Sequence, residues 1–364
     1  MNIMFLHSSM QAGGAERMIS ALANHYAEQG IEVSIAVIDD LPSFYPLHPK
    51  VQLLNLWKFQ KSGNIWQALK NNLTLISRTR QTFKEIHPDC IICFGINSLV
   101  HALVANIFLQ FKVIGSERNN PGYDNKGFWN SMKRIATPFA DGYIFQTIGA
   151  RKYYPRIVQK NSEVIPNGIY IENMLADIVP LGERIPDSIC AVGRLHYQKD
   201  YDNLLNAFAG FLKNFPSYTL VIFGEGGERG RLEKLIHDLE LQAKVILAGR
   251  ISNIAEEISQ RKIYILSSRF EGMPNALMEG MACGCACIST DCDYGPRELI
   301  SDGENGLLVP IEDPAALAAA MQKLATDSDL LEKIARNAVN IRQTHSIEQV
   351  ADSYLEYIKT IIQK

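Results

Sequence analysis

The feature that most limits the fold is a repeated alternation: short apolar runs that stop at glycine, serine or a charged residue, each followed by a stretch with helical periodicity. In the first half NIMFLH, EVSIAVI, VQLLNL, CIICFG, KVIGSER and SEVIPNGIYIE (162–172) read as strands, with helices after Gly14, over 65–86 and from Asn97. The second half restarts the pattern with SICAVG, followed by a helix over 201–214, and continues through YTLVIFG, VILAGR, IYILSS, CACIST and GLLVP. Alternation of this kind builds a doubly wound parallel sheet. Two such series in 364 residues, 47% of them apolar, predict an α/β chain with two Rossmann-like domains and two cores.

The densest local signal lies over 267–284, SSRFEGMPNALMEGMACG. A strand ends there, a turn forms at Gly272, and Pro274 suits the first position of a helix because its missing N–H would have had no partner. Met273, Asn275, Ala276 and Leu277 complete the turn and the first helical residues. Unpaired N–H groups and the helix dipole at this start favour an anion. Glu271 and Glu279 flank it, and an ionised carboxylate, being an acceptor only, pairs with ligand hydroxyls rather than phosphate. The division of labour we infer is helix N–H groups on phosphate, Glu279 on a ribose and Glu271 on a sugar attached to the phosphate. The alternative is a surface helix with two solvated acids.

Other candidates stand at other strand ends. Gly193 closes SICAVG, and Arg194 and Lys199 follow; two cations there can neutralise a diphosphate without a metal, although RxxxxK also occurs by chance. Gly224, Gly226 and Gly230 give GxGxxxG, the one feature that favours a nicotinamide enzyme. It is one residue too long, and the next strand ends in Arg250 rather than an acid. Gly13 and Gly14 precede a helix start and permit close approach to a ligand, or form an ordinary strand-to-helix turn. In the first sheet His7, Gly95 and the segment Glu117, Arg118, Asn119 stand where such sheets gather ligands. Arg118 can hold a phosphate or an acceptor hydroxyl, or make a structural salt bridge; it cannot be a general base.

Glu271 and Glu279 in EGMPNALME resemble the signature of the retaining family 4 glycosyltransferases of the GT-B fold, in which two glutamates are separated by seven residues. The resemblance covers nearly the whole chain. It implies transfer of a hexose or N-acetylhexosamine from a nucleotide diphosphate donor, here a UDP-sugar, with no metal and no further cofactor, to a glycan acceptor, often lipid-linked. It implies that Arg194 and Lys199 serve the diphosphate, that the loop at Gly224 lies beside the donor, and that Arg250 and Ile251 flank the base. The Gly13–Gly14 loop would face the inter-domain cleft, with Gly13, Glu117, Arg118 and Asn119 toward the acceptor and Gly14 toward the donor. Many members carry a histidine where Arg118 stands. No residue stands out as a covalent nucleophile, and the family is usually assigned a front-face displacement assisted by the leaving phosphate. The implied organisation is an acceptor domain over 1–170, a linker over 171–186, a donor domain over 187–344 and a last helix over 345–364 that crosses back to the first domain.

A formal charge of −3 and a sequence pI near 6.3 argue against a nucleic-acid binder. The N-terminus MNIMFLHSSM has no basic leader or long apolar core, so a cytoplasmic protein is expected. The most apolar span, 96–114, is interrupted by polar residues and reads as a buried helix and strand. The stretch 57–84 is rich in Lys and Arg, has no acid and holds four aromatics; it suits an anionic membrane surface, or is a solvated helix. Seven scattered cysteines suggest reduced thiols, and Cys90 and Cys93 read as core residues of a strand. Asp291 and Asp293 form a DxD, the metal-binding spacing of the other major glycosyltransferase fold, but their place late in the pattern reads as a loop-to-helix cap. The rival functions are an NAD-dependent oxidoreductase and a non-catalytic sugar-nucleotide-binding protein.

Overall fold

Residues apolar on both sides of a strand need cover on both faces, and the first sheet provides it. A computed structural model describes residues 1–11, 13–57, 63–118, 120–122, 128–169 and 178–364, and the side chains of all of these except 65, 68 and 128–131. The chain divides into two units, Met1–Gly168 with Ile347–Lys364, and Ile169–Ser346. In the first, the order is β1 (Asn2–His7), α1 (Gly14–Glu28), β2 (Glu32–Val37), β3 (Gln52–Asn55), α2 (Ile65–Ile86), β4 (Cys90–Phe94), α3 (Ile96–Asn106), β5 (Lys112–Ser116), α4 (Phe128–Ala136), β6 (Gly142–Phe145), α5 (Ile148–Tyr153), α6 (Arg156–Lys160) and β7 (Ser162–Val164). The strands pair in parallel in the order β3-β2-β1-β4-β5-β6-β7, so strand order reverses between β1 and β4. All five residues of β4 are buried, Cys90 and Cys93 among them, and burial pushes both thiols well above their usual range.

The second unit repeats the plan: β8 (Ser188–Val192), α7 (Tyr201–Leu212), β9 (Thr219–Phe223), α8 (Arg229–Asp238), β10 (Val245–Gly249), α9 (Ile254–Ser259), β11 (Ile263–Leu266), α10 (Asn275–Ala282), β12 (Ala286–Thr290), α11 (Pro296–Leu299), β13 (Leu307–Val309), α12 (Pro314–Thr326), α13 (Ser328–Ala338) and α14 (Ile341–Thr344). Its parallel order is β10-β9-β8-β11-β12-β13, with the reversal between β8 and β11. Apolar side chains fill both faces of this sheet, Leu204, Phe208, Ile265 and Met321 in one cluster and Tyr264, Leu266, Leu277 and Met281 in another. The last helix, α15 (Ile347–Ile362), belongs to the first unit, where it packs on α1 and the Tyr26 hydroxyl donates to the Ala351 carbonyl at 2.8 Å.

Three local expectations change. The strand expected from Ser162 stops at Val164, two residues short of Pro166, which brings no ladder N–H; 170–177, including the first part of the expected linker, lies outside the described residues. The helix from Tyr201 closes at Leu212, and Pro274 stands at the N-cap of α10 rather than inside it, with φ −79° and ψ 92°. The span 96–114 forms α3 and the start of β5, and no helix among the described residues is long and apolar enough to cross a membrane.

Candidate active site

Loops that leave the carboxyl ends of two neighbouring strands at a reversal of strand order diverge, which is where doubly wound sheets hold ligands. In the second unit those are the loops after β8 and β11, and they are sewn together. Ser267 Oγ donates to the Lys199 carbonyl at 2.7 Å, and the Arg269 N–H to the Gln198 carbonyl at 2.8 Å. Lys199 Nζ lies 2.6 Å from Glu271 Oε1, which also accepts from Ser268 Oγ at 2.7 Å; Gln198 Nε2 reaches Oε2 at 3.4 Å. The two charged side chains are only 15% and 8% exposed, so each is the main counter-charge of the other. Gly193 makes room for this pair, because a Cβ there would press on the Lys199 stem and the Tyr201 hydroxyl. Arg194, in contrast, is exposed and has no hydrogen-bond or ion-pair partner among the described residues.

At the start of α10 the Pro274 carbonyl accepts the N–H groups of Leu277 and Met278 at 3.0 and 3.2 Å. The Ala276 N–H has no partner among the described residues and remains for a ligand. Leu277 is packed in the core, while Asn275 and Ala276 are half-buried at the helix mouth. The turn at Gly272 and Met273 is pressed by Gly295 (φ +89°), whose missing side chain lets it lie against the Gly272 carbonyl and the Pro274 ring. Glu271 and Glu279 are 6% and 7% exposed, so neither is a solvated surface acid.

The glycines after β9 serve this architecture. A Cβ on Gly224 (φ +144°) would collide with the Gly193 carbonyl, and one on Gly226 with the Leu195 carbonyl. They stack loop on loop, which accounts for Gly224 and Gly226 by packing, whereas a Cβ on Gly230 would meet open space. Gly249 accepts from the Gly224 N–H at 2.8 Å, and Arg250 and Ile251 follow it into solvent. Asp291 is paired with Arg297 and not with Asp293, and no group of three or more metal-ligating side chains forms among the described residues.

In the first unit the switch point holds His7, which bonds the Phe94 carbonyl through Nδ1 at 2.9 Å and Glu16 through Nε2 at 3.1 Å. Gly13 caps α1 in an extended conformation, and a Cβ there would collide with the Glu16 carboxylate; Gly14 opens the helix. Glu117 is buried and engaged by Lys133 at 3.2 Å, by the Tyr154 hydroxyl and by the Arg118 N–H at 3.1 Å. Arg118 donates to the Tyr354 hydroxyl at 3.0 Å and to Asn167 Oδ1 at 2.8 Å, with its guanidinium 4.6 Å from the Phe94 ring centre. Arg118 makes no ion pair among the described residues, so the salt-bridge alternative does not hold for it; the neighbouring Glu117 pairs with Lys133. Asn119 lies outside the described residues. Sequence reading missed Ser268, Gln198 and Arg269; two hydroxyls at the end of an apolar run, SSRFEG, were the available signal.

Two doubly wound parallel sheets, with a glycine turn, a lysine–glutamate pair and a short helix at the switch point of the second, define the GT-B class of glycosyltransferases. The family description "Glycosyltransferase Family 4" matches 12–173, and "Glycosyl transferases group 1" matches 184–340. A Campylobacter jejuni alpha-1,4-N-acetyl-D-galactosaminyltransferase, named for a GalNAc-GalNAc-diNAcBac-PP-undecaprenol acceptor, is 27% identical over 99% of both chains. A second N-acetylgalactosaminyltransferase of that organism is 33% identical over 56% of this chain and 54% of its own. Among solved structures, sucrose-phosphate synthase from Thermosynechococcus elongatus has a TM-score of 0.85 at 19% identity, covering 100% and 99% of the two chains. The Anabaena protein HepE in complex with UDP has a TM-score of 0.81 at 19% identity, covering 99% and 100%. The chain belongs to the family 4-like glycosyltransferases of the GT-B fold.

Proposed function

We propose that this transferase moves a hexose or N-acetylhexosamine from a UDP-sugar to a lipid-linked glycan in bacterial glycan biosynthesis, with retention of configuration and without a metal. The observation that carries this reading is the gathering of Arg194, Lys199 and the Ala276 N–H around one switch point, with two buried glutamates beside them. Cations and a helix start suit a diphosphate, and the carboxylates suit sugar hydroxyls. UDP is favoured by the neighbour that holds it, and an undecaprenol-diphosphate acceptor by the relatives' names. Both named relatives transfer N-acetylgalactosamine, which makes an N-acetylhexosamine the first donor to try.

In the proposed reaction the bond between the anomeric carbon and the diphosphate oxygen breaks while an acceptor hydroxyl attacks from the same face. The hydroxyl proton passes to the departing phosphate. Negative charge grows on the diphosphate, and Arg194, Lys199 and the α10 start stabilise it where it develops. Glu271 orients the sugar and shares Lys199 with the phosphate; Glu279 holds the ribose. Acceptor contacts fall to the first unit, with Gly13 and Arg118 as candidates. Trp66, Leu69 and Leu73, spaced for one face of α2 and 77%, 52% and 59% exposed, stand with Lys70 and Lys84 as the membrane-facing surface.

Calorimetric titration of UDP, GDP, ADP and NAD without added metal tests the reading. UDP should bind the wild type, Glu279→Ala should lose it, and Glu271→Ala should spare UDP but lose transfer. Equal UDP affinity in wild type and Glu279→Ala would remove the ribose assignment, and NAD binding without UDP would replace the transferase reading at this site. The anomeric configuration of the product, read by NMR, decides between retention and inversion.

A further inference from the structure

We propose that Arg269, which lies outside both the glutamate pair and the arginine–lysine pair, is a positioning residue that locks the loop carrying Lys199 to the loop carrying Glu271. The functional part of this inference rests on the reading above; the latch itself stands on geometry. Each nitrogen of the guanidinium has its own partner: Nη1 donates to the Tyr197 carbonyl at 2.7 Å, Nη2 lies 2.6 Å from Asp200 Oδ1, and Nε lies 2.7 Å from Glu312 Oε1. Its flat face sits 4.3 Å from the Tyr197 ring centre. With the backbone bond from Arg269 N–H to Gln198 and the Ser267 bond to Lys199, three successive carbonyls, 197, 198 and 199, are held from the segment 267–269. Lys199 is the last of the three, so its ammonium is set against Glu271 by a loop with little freedom.

Asp200 completes the latch. Its side chain is 1% exposed, Arg269 is its one ion-pair partner among the described residues, and its backbone is left-handed at φ +46°, where the chain turns into α7. A buried carboxylate stripped of its cation is strongly unfavourable, so the pair pins that turn. Lysine cannot replace Arg269, because a single point charge does not serve three diverging acceptors and a ring face. Burial pushes the Asp200 carboxyl above the ordinary range, while Arg269 and the Asn203 N–H act against that shift and Glu312 and Asp202 add to it. Its folded form therefore takes a proton at a higher pH than a free aspartate, and the latch loosens as pH falls toward that value.

The test uses the full chain with Arg269→Gln, Arg269→Lys, Asp200→Asn and Glu312→Gln. Brief treatment with acetic anhydride, read by mass spectrometry, reports how far Lys199 is shielded, with the 75% exposed Lys234 as internal control. Lys199 labelling should rise about tenfold in Arg269→Gln, Arg269→Lys and Asp200→Asn, stay near wild type in Glu312→Gln, and be unchanged at Lys234. Transfer from UDP-N-acetylgalactosamine should lose about tenfold or more in kcat with donor KM within about threefold, since the defect is one of placement. In Asp200→Asn the decline of kcat at the acid end should move or vanish. Wild-type Lys199 labelling in folded Arg269→Gln and Asp200→Asn, or an unchanged acid limb in Asp200→Asn, overturns the latch. Failure of the wild type to bind UDP overturns the functional reading instead, and the labelling result separates the two.

Discussion

Lys199 and Glu271 are 72 positions apart in the chain, yet they meet at 2.6 Å in a place where neither is well hydrated. Each is marked as a candidate by its strand end, but the pairing is not legible there, because it depends on β8 lying next to β11. That pairing sets a prediction at the residue scale. Lys199→Met should abolish measurable UDP binding and also cost about 3 kcal/mol of stability, since it leaves Glu271 buried with hydroxyl and amide partners only. Calorimetry and urea unfolding check the two parts. UDP affinity within about twofold of wild type would remove Lys199 from the diphosphate. Arg118 is a second case: its position after a strand suggests a ligand contact, and the fold also gives its guanidinium two partners, Tyr354 and Asn167, that no local pattern shows.

Helix α10 is eight residues long, too short to persist alone, so its orientation is a property of what it is packed against. Leu277, Met278 and Met281 bury its inner face, and Gly280 lets it lie directly on the Tyr264 ring. A Cβ at 280 would sit 2.5 Å from that ring. Gly280→Ala should therefore cost about 1–3 kcal/mol by overpacking, and should weaken UDP binding because the helix start moves with the helix. Helix α12 offers the matched control. Asp313 caps it by accepting from the Ala316 N–H at 2.9 Å, and Asp313→Ala should cost about 1 kcal/mol with UDP affinity unchanged. Thermal melts and calorimetry on both variants distinguish an effect on the site from an effect on the fold. Element type was readable throughout from apolar runs and glycine or proline breaks. Element ends were less so: the strand from Ser162 is cut short ahead of Pro166, and the helix from Tyr201 closes at Leu212, before Asn214.

At the scale of the molecule, the chain crosses from one unit to the other and returns. Helix α15 contributes Val350, Tyr354, Ile358 and Ile361 to the interior of the first unit, and the Tyr357 hydroxyl bonds the Asn161 carbonyl at 2.7 Å. Ending the chain at Ser346 would strip this cover. Each large apolar side chain withdrawn from burial is worth about 1.5–3 kcal/mol, so the truncated protein should melt far lower or precipitate, although every residue of the candidate-site loops after β8 and β11 is retained. Solubility and thermal melting measure it; a truncated chain with the wild-type melting temperature would show that α15 is dispensable to the first unit.

The amino-acid sequence by itself determined the alternation that makes two parallel sheets, the carboxyl ends where ligands gather, and the two glutamates around a helix start. These are local facts: apolar periodicity, proline and glycine stereochemistry, and the charge of single side chains. Tertiary structure alone decided which charges neutralise one another. It joined Lys199 to Glu271, gave Arg269 to Asp200 and the Tyr197 loop, turned Gly224 and Gly226 into packing spacers, and engaged Glu117 and Arg118 inside the first unit. The physical reason is distance along the chain. A buried charge or a missing Cβ acquires its meaning from whatever strand the topology lays beside it, and strand order is written in no single stretch of residues.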